Sequence, residues 1–185
     1  ALPWVEMNYP RTTKAILDEF PEDIITAPGF HREIAKTIGE QYEIGEFIDE
    51  WGCKFVNAQR GVIGEVKEPL VQSDDWSDMD KIHIPTEWLT IDPEKVNAFC
   101  ASKDQFILAG CCPRPFEQLQ FIRTTELLYM DLADPPRGLL DFIKKMHAFY
   151  CELVEVWAKT DVDGIMMMDD WGSQRSLLIN PAVWT

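Results

Sequence analysis

The chain has 185 residues, 46% hydrophobic and 26% charged, the composition of a soluble globular protein able to bury the core of one domain or slightly more. Disordered, collagen-like and membrane-spanning classes are excluded on that basis. Thirty-two acidic against 17 basic side chains give a net charge of −15, which repels phosphate backbones and anionic lipid, so neither nucleic acid nor a membrane is expected as a partner.

Taken in chain order, residues 2–7 read as a strand, and residues 29–45 as a helix carrying Ile34, Ile38 and Tyr42 on one side. Residues 51–57 and 62–66 are two further strand candidates. The acidic stretch from Ser73 to Asp80 reads as a solvated loop or short helix, and residues 93–102 as a short helix. The second half is more legible. Gln105 to Gly110 is a short apolar run closed by Gly and then Pro113, as a buried strand would be. From Phe116 to Leu132 apolar residues recur at three- and four-residue spacing, and Asp134-Pro135-Pro136 stops that long helix. Leu139, Phe142, Ile143, Met146, Phe149, Tyr150, Leu153 and Trp157 then trace the apolar face of a second helix.

Val162 to Met168 is another apolar run, expected as a central strand buried on both faces, with its three methionines packed. Strand, helices, strand in this order implies a right-handed parallel crossover. About five strand candidates result, whereas a complete (β/α)8 barrel takes at least roughly 200 residues. The fold is therefore either a smaller α/β sheet or part of a larger one, within a single domain spanning residues 1–185.

No apolar run approaches the roughly 20 residues of a membrane helix, and the N-terminus lacks the basic flank and apolar stretch of a signal peptide. Five cysteines (Cys53, Cys100, Cys111, Cys112, Cys151) with no C-x-x-C spacing fit a reducing, cytoplasmic setting and act as packing residues. The three histidines, His31, His83 and His147, are scattered too widely to complete a zinc site with the adjacent Cys111-Cys112 pair.

In parallel α/β architectures ligands meet the carboxyl ends of strands, which directs attention to polar residues directly after apolar runs. Asp169-Asp170-Trp171-Gly172-Ser173-Gln174 occupies such a place; strand alternation lets one carboxylate face a pocket while the other ties down the loop, and an acidic turn capping a neighbouring segment is the plainer alternative. A second candidate is Asp49-Glu50-Trp51-Gly52, acidic residues beside an aromatic. A third is Cys111 to Phe116, where Pro113 and Pro115 stiffen a loop carrying Arg114, a partner for a carboxylate. Trp51, Trp171 and Trp184 stand near these loops as a possible apolar wall. Phosphate-binding glycine loops, a G-x-S-x-G elbow and H-E-x-x-H are absent.

Asp163-Gly164-Ile165, the Asp169-Asp170-x-Gly172-x-Gln174 run, and Leu177, Ile179, Pro181 and Trp184 in an L-x-I-x-P-x-x-W spacing resemble the uroporphyrinogen-decarboxylase-like superfamily. That superfamily includes the decarboxylase of haem synthesis and the corrinoid and coenzyme M methyltransferases. The resemblance implies a TIM (β/α)8 barrel of which this chain is the N-terminal half. It implies Asp49 and Asp170 as catalytic residues, and Asp169, Trp171, Gln174, Arg11, Arg114 and Trp51 as substrate-binding ones. Phe47-Ile48-Asp49 matches the F-S-D motif of the decarboxylases in part. The Arg-rich M-R-Q-A-G-R segment of those enzymes is replaced by residues 5–11, in which Arg11 is the only basic group. A substrate with eight carboxylates would meet Glu6 where it needs guanidinium.

The methyltransferases bind zinc through an H-x-C motif and a later Cys downstream of the D-D-x-G run, beyond Thr185. The resemblance therefore implies no cofactor bound by this chain alone, with zinc held through residues it does not contain. The expected function is that of a corrinoid-dependent methyltransferase-type enzyme acting on a small-molecule or corrinoid-protein substrate. The alternatives are decarboxylation of a tetrapyrrole, with Asp49 stabilising a protonated pyrrole, and a non-catalytic half-barrel. Open sheet edges make a homodimer, or pairing with the missing half, the expected assembly.

Overall fold

A computed structural model describes residues 2–183; Trp184 of the L-x-I-x-P-x-x-W spacing lies outside the described residues. The fold is mixed α/β, with six α-helices and two small sheets, neither closed into a barrel among the described residues. The helices are α1 (Leu2–Asn8), α2 (Pro10–Glu19), α3 (Pro93–Ala101), α4 (Pro115–Arg123), α5 (Thr125–Ala133) and α6 (Arg137–Trp157). The strands are β1 (Ile24–Thr26), β2 (Gly45–Ile48), β3 (Lys54–Asn57), β4 (Glu65–Val66) and β5 (Phe106–Leu108). No helix among the described residues is long and apolar enough to cross a membrane.

β1 and β5 pair in parallel, Ile25 opposite Ile107, and Gly164 adds a parallel bridge to Leu108 on the other side of β5. The seam beyond β5 is closed by Ala109 N–H donating to Gly164 O at 2.8 Å and by the Asp163 carboxylate accepting from Ile107 N–H at 2.7 Å. Strand, helices and parallel return thus appear in the expected order. The strand itself is not built: past Gly164 the chain is irregular, and Met166, Met167 and Met168 are exposed, Met167 at 63%. The expectation of a run buried on both faces is corrected accordingly, because nothing among the described residues pairs with its far edge.

Two other expectations are overturned. Residues 2–7 are helical, since Pro3 in the first turn suits a helix start and not a strand interior, and Asn8 Nδ2 donates back to Trp4 O at 2.7 Å. The segment 29–45 holds no helix. Gly39 adopts φ +84°, Ile34 stands in solvent, and Ile38 exchanges backbone hydrogen bonds with Ile48, so the segment runs along the edge of β2.

β2, β3 and β4 form an antiparallel meander, Phe47 opposite Phe55, whose inner face joins the core. Phe116 to Leu132, read as one helix, is two. Thr124 at φ +67° breaks it, and Arg123 turns fully into the core. There Arg123 Nε meets Asp131 Oδ2 at 2.8 Å and Nη1 donates to Val71 O at 3.0 Å, while Trp76 Nε1 donates to the same carboxylate at 2.9 Å. The acidic 73–80 stretch is consequently no simple solvated loop. Trp76 is completely buried beneath it, and Gly138 of α6 comes so close that a Cβ there would lie 2.6 Å from Trp76 Cβ. α6 buries Leu139, Phe142, Met146, Phe149, Tyr150, Leu153 and Trp157, the face read from the sequence with Ile143 only partly covered.

Candidate functional site

The β2–β3 hairpin turns through Asp49-Glu50-Trp51-Gly52-Cys53, and the Asp49 side chain shapes it. Its Oδ1 accepts from Cys53 N–H at 2.7 Å and from Trp51 N–H at 3.0 Å. Gly52, at φ +92°, supplies the left-handed residue the turn requires. The turn drives Trp51 into the core, against Trp88, Phe149 and Tyr150 with ring centroids 5.6–6.5 Å apart.

A cavity of about 260 Å³ opens beside this turn. Three parts of the fold enclose it: the hairpin with Asp49, Glu50 and Trp51, the loop Gly110 to Arg114 directly after β5, and α4 and α6 through Gln118 and Tyr150. His31, which follows β1, completes one wall. The cavity therefore lies on the carboxyl side of the parallel strands. The β5 loop reaches it because Gly110 packs directly on Trp157, where a Cβ would sit 2.4 Å from Ala27 O.

Burial raises the Asp49 carboxyl from 3.8 to about 6, and the neighbouring Glu50 charge adds to the effect; the Cys53 and Trp51 N–H groups and Gln118 oppose it. A carboxyl poised there exchanges a proton close to neutral pH. Burial also pushes Cys111 up to about 12, holds the Cys53 thiol and the Tyr150 phenol above their usual ranges, and keeps His31 below its usual value. Asp49 is thus the cavity carboxyl whose proton is available. Arg114 is paired with Glu117 at 3.1 Å and is only partly exposed, with its guanidinium over the Phe121 ring.

Of the residues singled out from the sequence, Asp49, Trp51 and Arg114 line this one cavity. Asp169 does something else: its Oδ2 accepts from Phe116 N–H and its Oδ1 from Glu117 N–H, both at 2.8 Å, capping the first turn of α4. It holds the Arg114 loop from behind. Asp170, Trp171, Gln174 and Arg11 are exposed and do not line the cavity. Gln118 and Tyr150 were not singled out as site residues. The available signal was a lone amide inside the apolar stripe Phe116, Leu119, Ile122, and a phenol at the buried position four residues after Met146.

Among the described residues no group of three or more His, Cys, Asp or Glu side chains is placed to hold a metal ion. No family model matches the sequence, and no curated protein or solved structure matches it either.

Proposed function

We propose that the chain is the N-terminal part of a (β/α)8 enzyme of the uroporphyrinogen-decarboxylase type, on its methyltransferase branch, acting in the cytoplasm. The carrying observation is the Asp49 cavity: a buried carboxyl near pH 6, on the carboxyl side of parallel strands, enclosed by aromatic walls. Asp49 donates or accepts the proton of a small-molecule substrate, and Arg114 orients a polar group of it at the β5 loop. Asp169 positions that loop by fixing the start of α4. Methyl transfer is favoured over tetrapyrrole decarboxylation because about 260 Å³ and one guanidinium suit a small ligand and not eight carboxylates.

The exposed Met166 to Met168, Trp171 and Leu177, with the apolar groove of about 600 Å³ along α6, are the faces that the rest of the barrel would cover. Five unpaired cysteines suit the reducing compartment. The test is methyl transfer from methylcobalamin to a thiol by the full gene product, followed by the change in cobalamin absorbance. Turnover should fall at least about tenfold in Asp49→Asn with a melting temperature no lower than that of wild type. Equal turnover in Asp49→Asn, or decarboxylation of uroporphyrinogen without methyl transfer, overturns the reading.

A further inference from the structure

Gln118 is a buried amide, 4% exposed, on the face of α4 that also buries Phe116, Leu119 and Ile122. An amide in such a setting costs free energy unless its hydrogen bonds are met. Its Nε2 donates to Cys53 Sγ at 3.8 Å, and the amide serves the Asp49 carboxyl as a hydrogen-bond partner that favours the charged form. The Cys53 thiol, wholly buried, is hydrogen-bonded to the same carboxyl. Asp49, Cys53 and Gln118 are therefore one polar cluster beside a wall built of Phe47, Trp51, Phe55 and Phe121.

Two separate elements bring this cluster together. The hairpin spends Asp49 Oδ1 on the N–H groups of Trp51 and Cys53, so Oδ2 is the oxygen it does not use. α4 carries Gln118 directly after Phe116 and Glu117, the residues whose N–H groups Asp169 holds, so the helix start fixes where the amide stands. The other titratable groups around the cavity are Glu50 on the hairpin, His31 after β1, Cys111, Cys112 and Arg114 on the β5 loop, and Tyr150 on α6. Glu50 disfavours the Asp49 charge, burial holds Cys111 and Tyr150 neutral near pH 7 and lowers His31, and Arg114 is paired with Glu117. Beyond the two hairpin N–H groups, support for that charge comes from the Gln118 side chain. A primary amide partners both forms of a carboxyl: its NH2 donates to a carboxylate and, turned over, its C=O accepts from a carboxylic acid.

We propose that Gln118 is the positioning residue of Asp49, its amide holding the carboxyl in both the charged and the protonated form so that a proton is exchanged while the hairpin hydrogen bonds stay in place. This inference rests on the reading of Asp49 as the proton-exchanging group, and it names the residue that regulates it.

Gln118→Met keeps the length of the side chain and removes both amide groups. Carboxyl-carbon NMR of the full gene product should show the Asp49 midpoint rising from near pH 6 to about pH 7 in this variant, with the pH profile of turnover moving up alongside it. Ile122→Val thins the same buried face of α4 away from the cavity and should leave the midpoint in place, which separates loosened packing from a lost amide. If Gln118→Met fails to fold, the side-chain amide of Gln118 in glutamine-labelled wild type decides, since its nitrogen resonance should follow pH with the midpoint of Asp49. An Asp49 midpoint unchanged or lowered in Gln118→Met, or a Gln118 amide resonance indifferent to pH, overturns the proposal. Either result alongside methyl transfer that depends on Asp49 leaves the proposed function standing; absence of methyl transfer, with the midpoint still rising in Gln118→Met, does the reverse.

Discussion

Asp49→Asn isolates the ionisation of one buried carboxyl. The folded-state pKa of Asp49 is raised, from 3.8 to about 6, so between those values the folded chain holds more protons than the unfolded one, and stability falls as pH rises. The shift of about two units corresponds to about 3 kcal/mol of destabilisation fully present above pH 7. About 1.6 kcal/mol of it is already present at pH 5, which leaves about 1.3 kcal/mol to be lost between pH 5 and pH 7. An asparagine keeps the Oδ1 acceptor for Cys53 and Trp51 N–H and has no proton to lose. Urea unfolding of wild type and variant at pH 5, 6, 7 and 8, at constant ionic strength, gives the difference directly. Carboxylates held below their usual range, such as Asp78 against Lys81 and Ser73, lose their stabilisation only at lower pH and cancel in the comparison. The variant should gain about 1.3 kcal/mol relative to wild type from pH 5 to pH 7. A wild-type minus variant difference that does not change with pH refutes the argument that Asp49 is desolvated.

Asp169→Ala removes the acceptors of two α4 N–H groups and should cost about 1–2 kcal/mol in unfolding free energy, a loss that Asp170→Ala, at an exposed position, should not reproduce. Arg123→Leu strands the Asp131 carboxylate in the core with Trp76 Nε1 still donating to it, and should cost about 3–5 kcal/mol by the same assay. Met167→Asp, at a side chain 63% exposed, should stay within about 0.5 kcal/mol of wild type in these 185 residues.

Periodicity was a reliable guide where one face is packed and the run is long. α6 buries seven of its expected apolar residues because a 21-residue stripe leaves no competing register. It failed where tertiary contacts decide. Thr124 at positive φ and the burial of Arg123 come from a partner eight residues on and from the carbonyl of Val71, neither of which leaves a trace in local pattern. β1 escapes the pattern because Ile24-Ile25-Thr26 is only three residues long, two of them exposed and one partly buried, with no apolar–polar alternation to read. The site was legible in its corners: acidic and aromatic residues at a turn marked Asp49 and Trp51, and a proline-stiffened loop marked Arg114. Joining them required the hairpin and the β5 loop to meet in space. For Asp169, a strand-end carboxylate reads alike whether it faces a ligand or caps a helix 53 residues earlier; the hydrogen bonds to Phe116 and Glu117 distinguish the two.

The claim that Asp49 is the proton-exchanging group of the cavity is tested most directly by carboxyl-carbon NMR on aspartate-labelled protein, its resonance assigned by absence in Asp49→Asn. The Asp49 signal should titrate with a midpoint near pH 6, well above that of an exposed aspartate. A midpoint at or below about 4 would show a solvated carboxylate serving only the hairpin turn, and would contradict the account.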